Sequence, residues 1–286
     1  MINKKDIFSR ATGLKVKSIS LLGGMTNTNF LVTTIDDKKF VLRISGNNSN
    51  KLVDREKEFY IQNIMRKHGF GVEIIYFDKI SGIKITKFLS NATNLTPKNI
   101  SNFIPQIALH LKALHSLNLN LEYKFDPFLE MQKYLTASKM PIDCITNFKD
   151  GLNLFWHLRK KICEINQKYY NQDMIFVPTH GDLVPENILV SEQDHIILID
   201  WEYAGANDPC WDLASVIVEG NLSKKEEHKF LNSYNPSQAE YEKIEIYKSI
   251  MDILWSAWAI AKTNSKKSYL DYGQQRLNNA LKRQYF

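Results

Sequence analysis

His180-Gly-Asp-Leu-Val-Pro-Glu-Asn187, followed by His195-Ile-Ile-Leu-Ile-Asp-Trp-Glu-Tyr203, is the segment from which the rest of the chain is best read. An acid, Asp182, and an amide, Asn187, stand five residues apart on what reads as a short loop. Two apolar runs follow, Ile188-Leu-Val and Ile196-Ile-Leu-Ile, and the second ends in another acid, Asp200. This order of acid, amide, strand and acid is the one phosphoryl transfer uses. There, one Asp orients an attacking hydroxyl, an Asn holds Mg²⁺, and a later Asp bridges metal to nucleotide. Asp182, Asn187 and Asp200 are therefore the expected catalytic residues. Asn187 and Asp200 offer oxygens suited to a hard ion. Glu202, read as two residues on along an extended segment, is expected to face the same metal.

Composition permits this reading and excludes others. The 286 residues are enough for one large domain or two, and 44% apolar with 24% charged is ordinary for a globular protein. The net charge of +6 is spread along the chain, which argues against nucleic acid as a partner and is compatible with anionic small molecules. Cys144, Cys163 and Cys210 are odd in number and form no C-x-x-C pair, so a disulfide framework or zinc site is not expected and a reducing cytoplasm is. The start turns polar before a signal-peptide core could form, and the longest apolar run, 253–261, is too short for a bilayer. No membrane role is expected, and no internal repeat is present.

Upstream of the loop the sequence reads first as strands. Residues 14–44 alternate in the β manner around Gly23-Gly24-Met-Thr26-Asn27-Thr-Asn29, a turn whose glycines admit a ligand close to backbone and whose Thr26, Asn27 and Asn29 add short polar groups. Arg43 sits between Leu42 and Ile44 on the next strand. Given the later acids, it occupies the place of a phosphate-binding cation. Such a cation pairs with a glutamate on the following helix, 54–67, which Asp54 can cap. Glu56 and Glu58 lie on opposite borders of its apolar face, and periodicity does not choose between them. Two more strands, 73–78 and 82–89, complete a five-stranded set, with Thr86 to Leu89 the expected contact for a purine base. The polar stretch Ser90–Pro97 then sets the expected division, 1–89 and 90–286. The fold class is α+β: a small antiparallel β portion, then a larger, mainly helical one.

Downstream, helical spacing is expected over 100–117, 125–135, 152–170, 223–234 and 238–262, followed by a tail containing Ser268-Tyr-Leu-Asp-Tyr272. His110 and His115 read as structural. Asp208 with Pro209 reads as a helix start, and Asp212 as a buried brace for the catalytic loop. Trp255 and Trp258, three residues apart, share a helix face. Such a stripe is ordinarily core; with Tyr272 nearby it is also suited to a cage for a quaternary ammonium.

Taken together, Gly23–Phe30, Val41-Leu-Arg-Ile-Ser-Gly46, His180–Asn187, Ile199-Asp-Trp-Glu-Tyr203 and Trp255-Ser-Ala-Trp258 resemble the choline/ethanolamine kinase family, over about residues 20–275. The resemblance implies a bilobal protein-kinase-like fold, and use of ATP and Mg²⁺ to phosphorylate choline. It places Asp182 as the catalytic Asp, Asn187 and Asp200 at the metal, and Arg43 at the nucleotide phosphates beside Gly24, Thr26, Asn27 and Asn29. It falls on Glu58 rather than Glu56. It also places Glu219, Trp255, Trp258 and Tyr272 around choline, with Tyr203 beside them. Gly181 departs from the bulkier residue of relatives. The alternatives are ethanolamine, thiamine or an aminoglycoside as acceptor, or an inactive choline-binding relative.

Overall fold

The structure is a computed structural model that describes residues 3–24, 26–46, 52–263 and 267–283. Its contacts divide the chain into two compact units, Met1–Asn94 with Ile188–Glu202, and Leu95–Asn187 with Tyr203–Phe286.

The first unit opens with helix α1 (Lys4–Thr12), capped by the Asn3 side chain and closed by Gly13 in the left-handed region. Strands β1 (Val16–Gly23), β2 (Thr28–Thr34), β3 (Lys39–Ile44), β4 (Ile74–Phe77) and β5 (Lys84–Lys87) form an antiparallel sheet in the order β1-β2-β3-β5-β4. Along β2, Phe30, Val32 and Thr34 are buried and alternate with residues that are not, as a half-covered sheet requires. Phe30 and Val32 meet Phe40, Leu42, Ile85 and, from α1, Phe8, whose ring lies 5.5 Å from that of Phe40. Helix α2 (Arg55–Lys67) starts where expected, the Asp54 carboxylate accepting from the Lys57 amide.

The first unit runs to Asn94 and takes in Ile188–Glu202 as well. Strand β6 (Ala92–Asn94) pairs with β8 (Ile188–Ser191), which pairs with β9 (Ile196–Leu198), and the Leu198 amide donates to the Phe70 carbonyl. The segment that carries Asp200 thus folds back on the first unit, a long-range pairing that composition does not reveal.

In the second unit, helices α3 (Ile104–His115), α4 (Pro127–Ala137), α5 (Phe148–Tyr170), α6 (Pro209–Glu219), α7 (Lys224–Tyr234), α8 (Gln238–Lys262) and α9 (Lys267–Lys282) accompany a short antiparallel pair, β7 (Val177–Thr179) and β10 (Gly205–Asn207). Ser223 with Glu226, and Ser237 with Glu240, form reciprocal capping boxes that start α7 and α8. Helix α8 is buried along most of its length because α4, α5, α6 and α9 pack around it. The expected tail is instead α9. Gly273 lies inside it, where an added Cβ would stand 2.6 Å from Ile145 and 3.0 Å from Ala259 of α8, so its smallness serves close packing rather than helix termination. Among the described residues, no helix is long and apolar enough to cross a membrane.

Candidate active site

Ion pairs organise the polar cluster of the first unit. Arg43 of β3 and Lys84 of β5 are cross-strand partners, each flanked by apolar residues and each directed into the unit. Glu58 of α2 receives both. Its Oε1 lies 2.6 Å from Arg43 Nη1 and 2.8 Å from Lys84 Nζ, while Oε2 accepts from Arg55 Nη1 at 2.6 Å. Glu56, the other candidate, is exposed and pairs with Lys79. Burial raises the Glu58 pKa, but Lys84, Arg43 and Arg55 outweigh it and hold the carboxyl well below the usual range.

Asp200 accepts from Arg43 Nη1 at 2.9 Å and adopts φ +65, a left-handed conformation that Asp tolerates at some cost. Glu202 does not lie on an extended segment: residues Trp201–Tyr203 form one 3₁₀ turn, and that turn, not strand alternation, carries Glu202 to its acid neighbours. One ligand oxygen from each of Glu58, Asp200 and Glu202 lies within 4.8 Å of the others. Burial, reinforced by Asp200, raises the Glu202 pKa against the pull of Arg43. Crowded carboxylates of this kind fit a hard divalent ion, which would relieve their repulsion. Glu58 is engaged by three cations, so Asp200 and Glu202 are the donors such an ion would use. The side chain of Asp200 is 28% exposed, against 0% for Glu58.

The Gly loop reaches the same network. Asn27 is buried and its Nδ2 donates to Glu202 Oε2 at 3.1 Å. Gly24 has φ +129, and an added Cβ would stand 2.1 Å from the Asn27 carbonyl, so the loop closes on itself only with glycine there. Thr26 is half-buried, and Asn29 stands opposite Arg43 in the β2–β3 register. Met25 lies outside the described residues.

In the second unit the loop after β7 is held from behind by α6. Asp208 caps that helix, and Asp212 accepts from the His180 amide at 2.7 Å and the Gly181 amide at 2.9 Å. Trp211 Nε1 donates to the Gly181 carbonyl, and Ser215 Oγ accepts from the Leu183 amide. His115 joins the brace between Tyr234 and Asp212, at 2.9 and 3.2 Å. Gly181 has φ +85, and a Cβ there would meet the Tyr203 carbonyl at 2.4 Å. Glycine at 181 is thus a packing requirement of this chain. Asn187 Nδ2 donates to the Asp182 carbonyl at 2.9 Å and to its carboxylate at 3.3 Å, which leaves the amide oxygen as the donor atom for another partner.

The same unit gathers the aromatic residues. Trp255 and Trp258 of α8 lie edge to face at 6.4 Å, Tyr203 is 5.3 Å from Trp255, and Tyr272 of α9 is 6.2 Å from Trp258. Trp258 Nε1 donates to the Tyr203 hydroxyl at 3.0 Å. Both tryptophans are 6% exposed, so they take part in the core while facing one another across the cluster. Burial raises the Tyr272 pKa; Arg276 opposes it, while Glu219 and Asp182 add to it, which places both carboxylates in the electrostatic neighbourhood of that ring. Glu219 is itself raised by burial and partly offset by Arg276.

Arg276 carries no spacing signal in the sequence, and Lys84 only a weak one. The pattern Ile83-Lys84-Ile85 does repeat Leu42-Arg43-Ile44, and a search for paired cations on neighbouring strands would find it.

The choline/ethanolamine kinase family model matches residues 18–243. Protein LicA of Haemophilus influenzae is 32% identical over 277 residues, covering 92% of this chain and 78% of that protein. Among solved structures, choline kinase LicA from Streptococcus pneumoniae superposes with a TM-score of 0.86 at 33% identity, covering 97% of this chain and 96% of the other. LicA in complex with AMP gives 0.84 at 32% identity, with coverage of 97% and 95%.

Proposed function

The chain belongs to the choline/ethanolamine kinase family, and on that premise we propose that it phosphorylates choline with ATP as donor. Its fold is protein-kinase-like, and its reaction class is phosphotransfer to an alcohol. In the proposed reaction Asp182 hydrogen-bonds the choline hydroxyl and takes its proton as the oxygen attacks the γ-phosphorus. The bond from that phosphorus to the bridging oxygen breaks, and phosphocholine and ADP leave. Asn187 steadies the Asp182 carboxylate through its Nδ2 and offers its amide oxygen to Mg²⁺. Asp200 and Glu202 supply the carboxylate ligands for that ion. When bound, Mg²⁺ neutralises charge on the phosphate oxygens. Arg43, held by Glu58, and the Gly24–Asn29 loop are assigned to the nucleotide phosphates. The AMP complex of LicA supports a nucleotide site in this fold.

The observation that carries choline over other alcohols is the cluster of Tyr203, Trp255, Trp258 and Tyr272 in the unit that holds Asp182. Aromatic faces attract a trimethylammonium by about 0.5–2 kcal/mol per contact, and they need no hydrogen-bond acceptor to do so. A primary ammonium gains more from carboxylates. The test is ADP release with ATP, Mg²⁺ and, in turn, choline, ethanolamine, thiamine and kanamycin. Choline is expected to give the highest kcat/KM. A higher value for any of the others replaces the acceptor assignment, and choline binding without ADP release replaces the enzyme with an inactive binder.

A further inference from the structure

Arg276 of α9 is a cation built into the wall that an acceptor's own cation would meet. Its Nη1 lies 2.8 Å from Glu219 Oε1, its Nε 2.5 Å from Asp252 Oδ1, and its Cζ 5.7 Å from the centre of the Tyr272 ring. Arg283 holds the other oxygen of Asp252. Two carboxylates, from α6 and α8, thus face two guanidinium groups from the C-terminal helix and the residue just after it. The set is electrically balanced and largely closed to solvent, with Arg276 7% exposed and the Glu219 side chain 13%.

This balance changes what Glu219 can do. A primary ammonium leaves water only if its N–H groups find acceptors, and a buried N–H without one costs about 1–3 kcal/mol. Glu219, whose charge bears on the Tyr272 ring, is already ion-paired, its Oε1 2.8 Å from Arg276 Nη1. A quaternary ammonium has no N–H to satisfy and is drawn to the rings alone. We propose that Arg276 sets the acceptor preference for a quaternary over a primary ammonium, by pairing with Glu219 so that the carboxylate's charge is already balanced and one of its oxygens engaged. The inference rests on the reading of the Tyr203–Trp255–Trp258–Tyr272 cluster as the acceptor site and gives it a selectivity determinant. Because Arg276 acts through Glu219, it is a positioning residue.

The experiment measures kcat/KM for choline and for ethanolamine in the full chain, with melting temperature as a fold control. In Arg276→Met the ratio of ethanolamine to choline is expected to rise at least tenfold. Arg276→Lys, which keeps a cation, should restore it to within about threefold of wild type. Adding Glu219→Gln to Arg276→Met should abolish the gain. A ratio within twofold of wild type in folded Arg276→Met overturns the inference. Should that variant fail to fold, Glu219→Gln alone decides. An ion-paired Glu219 predicts similar losses for both acceptors, since the two guanidinium groups then face Asp252 alone and their excess charge repels either cation, whereas a tenfold loss confined to ethanolamine marks a free acceptor and overturns the inference. Trp258→Ala separates the two levels. An unmoved choline KM there removes the acceptor site itself, whereas a raised KM with an unmoved Arg276→Met ratio removes only the role of Arg276.

Discussion

Replacing Glu58 by Gln removes one charge from a set of three acids and three cations that the first unit buries together. In wild type the two carboxylate oxygens face four contacts, from Arg43 Nη1 and Nη2, Lys84 and Arg55, at 2.6, 2.9, 2.8 and 2.6 Å. Glutamine keeps one acceptor oxygen and turns an NH₂ toward donors, while three cations remain against Asp200 and Glu202. Removing one partner of a buried ion pair costs about 3–5 kcal/mol. At about 2–4 °C per kcal/mol the melting temperature should fall by about 6–20 °C. Arg43 also loses its anchor. A charge-assisted hydrogen bond contributes about 1.5–3 kcal/mol, so the KM for ATP should rise about 10- to 100-fold with the choline KM little changed. Differential scanning fluorimetry and a coupled ADP-release assay read the two effects. Lys84→Met in the Glu58→Gln background restores the charge balance and should recover part of the lost melting temperature. A Glu58→Gln protein that melts within about 2 °C of wild type, with an unchanged KM for ATP, would refute the view that Glu58 organises these cations.

Trp258→Ala should raise the choline KM about 5- to 30-fold, the equivalent of about 1–2 kcal/mol of cation–π attraction, while Trp258→Phe keeps a ring and most of the affinity; choline titrations at saturating ATP check both. Gly181→Ala should abolish activity and lower the yield of folded protein, because its Cβ would stand 2.4 Å from the Tyr203 carbonyl in a left-handed backbone; an active, stable alanine variant would contradict that geometry. Burial holds the His110 pKa down to about 4, so its neutral form stabilises the fold above its unfolded pKa of about 6.5 and that contribution is lost as pH falls toward 4. Melting temperatures from pH 7 to pH 4 should therefore decline less steeply in His110→Gln than in wild type.

What could be read in the sequence was local. Asp54 and Asp208 mark helix starts through capping chemistry, and α8 announces itself by its length and periodicity. The order Asp182, Asn187, strand, Asp200 named a reaction because that chemistry fixes both residue types and their sequence. Periodicity could not separate Glu58 from Glu56; the family resemblance did, and in the structure only Glu58 faces Arg43. The strands β6, β7 and β10 are three residues each, too short for alternation to register. Helix α9 was hidden by Gly273, which ordinarily signals an end and here permits contact with α8. The 3₁₀ turn at Glu202 replaced an assumed extension. Asp252 and Arg276 are defined by partners distant in sequence, and no spacing rule reaches them; Lys84 shows only as a repeat of the apolar–cation–apolar pattern at Arg43.

Transfer of phosphate to choline, with Asp182 as the proton acceptor, is the proposed activity. Phosphorus NMR of the chain with ATP, Mg²⁺ and choline tests it most directly, read for wild type and for Asp182→Asn. Wild type should accumulate phosphocholine and ADP in equal amounts, and Asp182→Asn should do so about 10²–10⁴-fold more slowly while still binding nucleotide. Phosphocholine formed by Asp182→Asn at the wild-type rate, or none formed by wild type, would contradict the account.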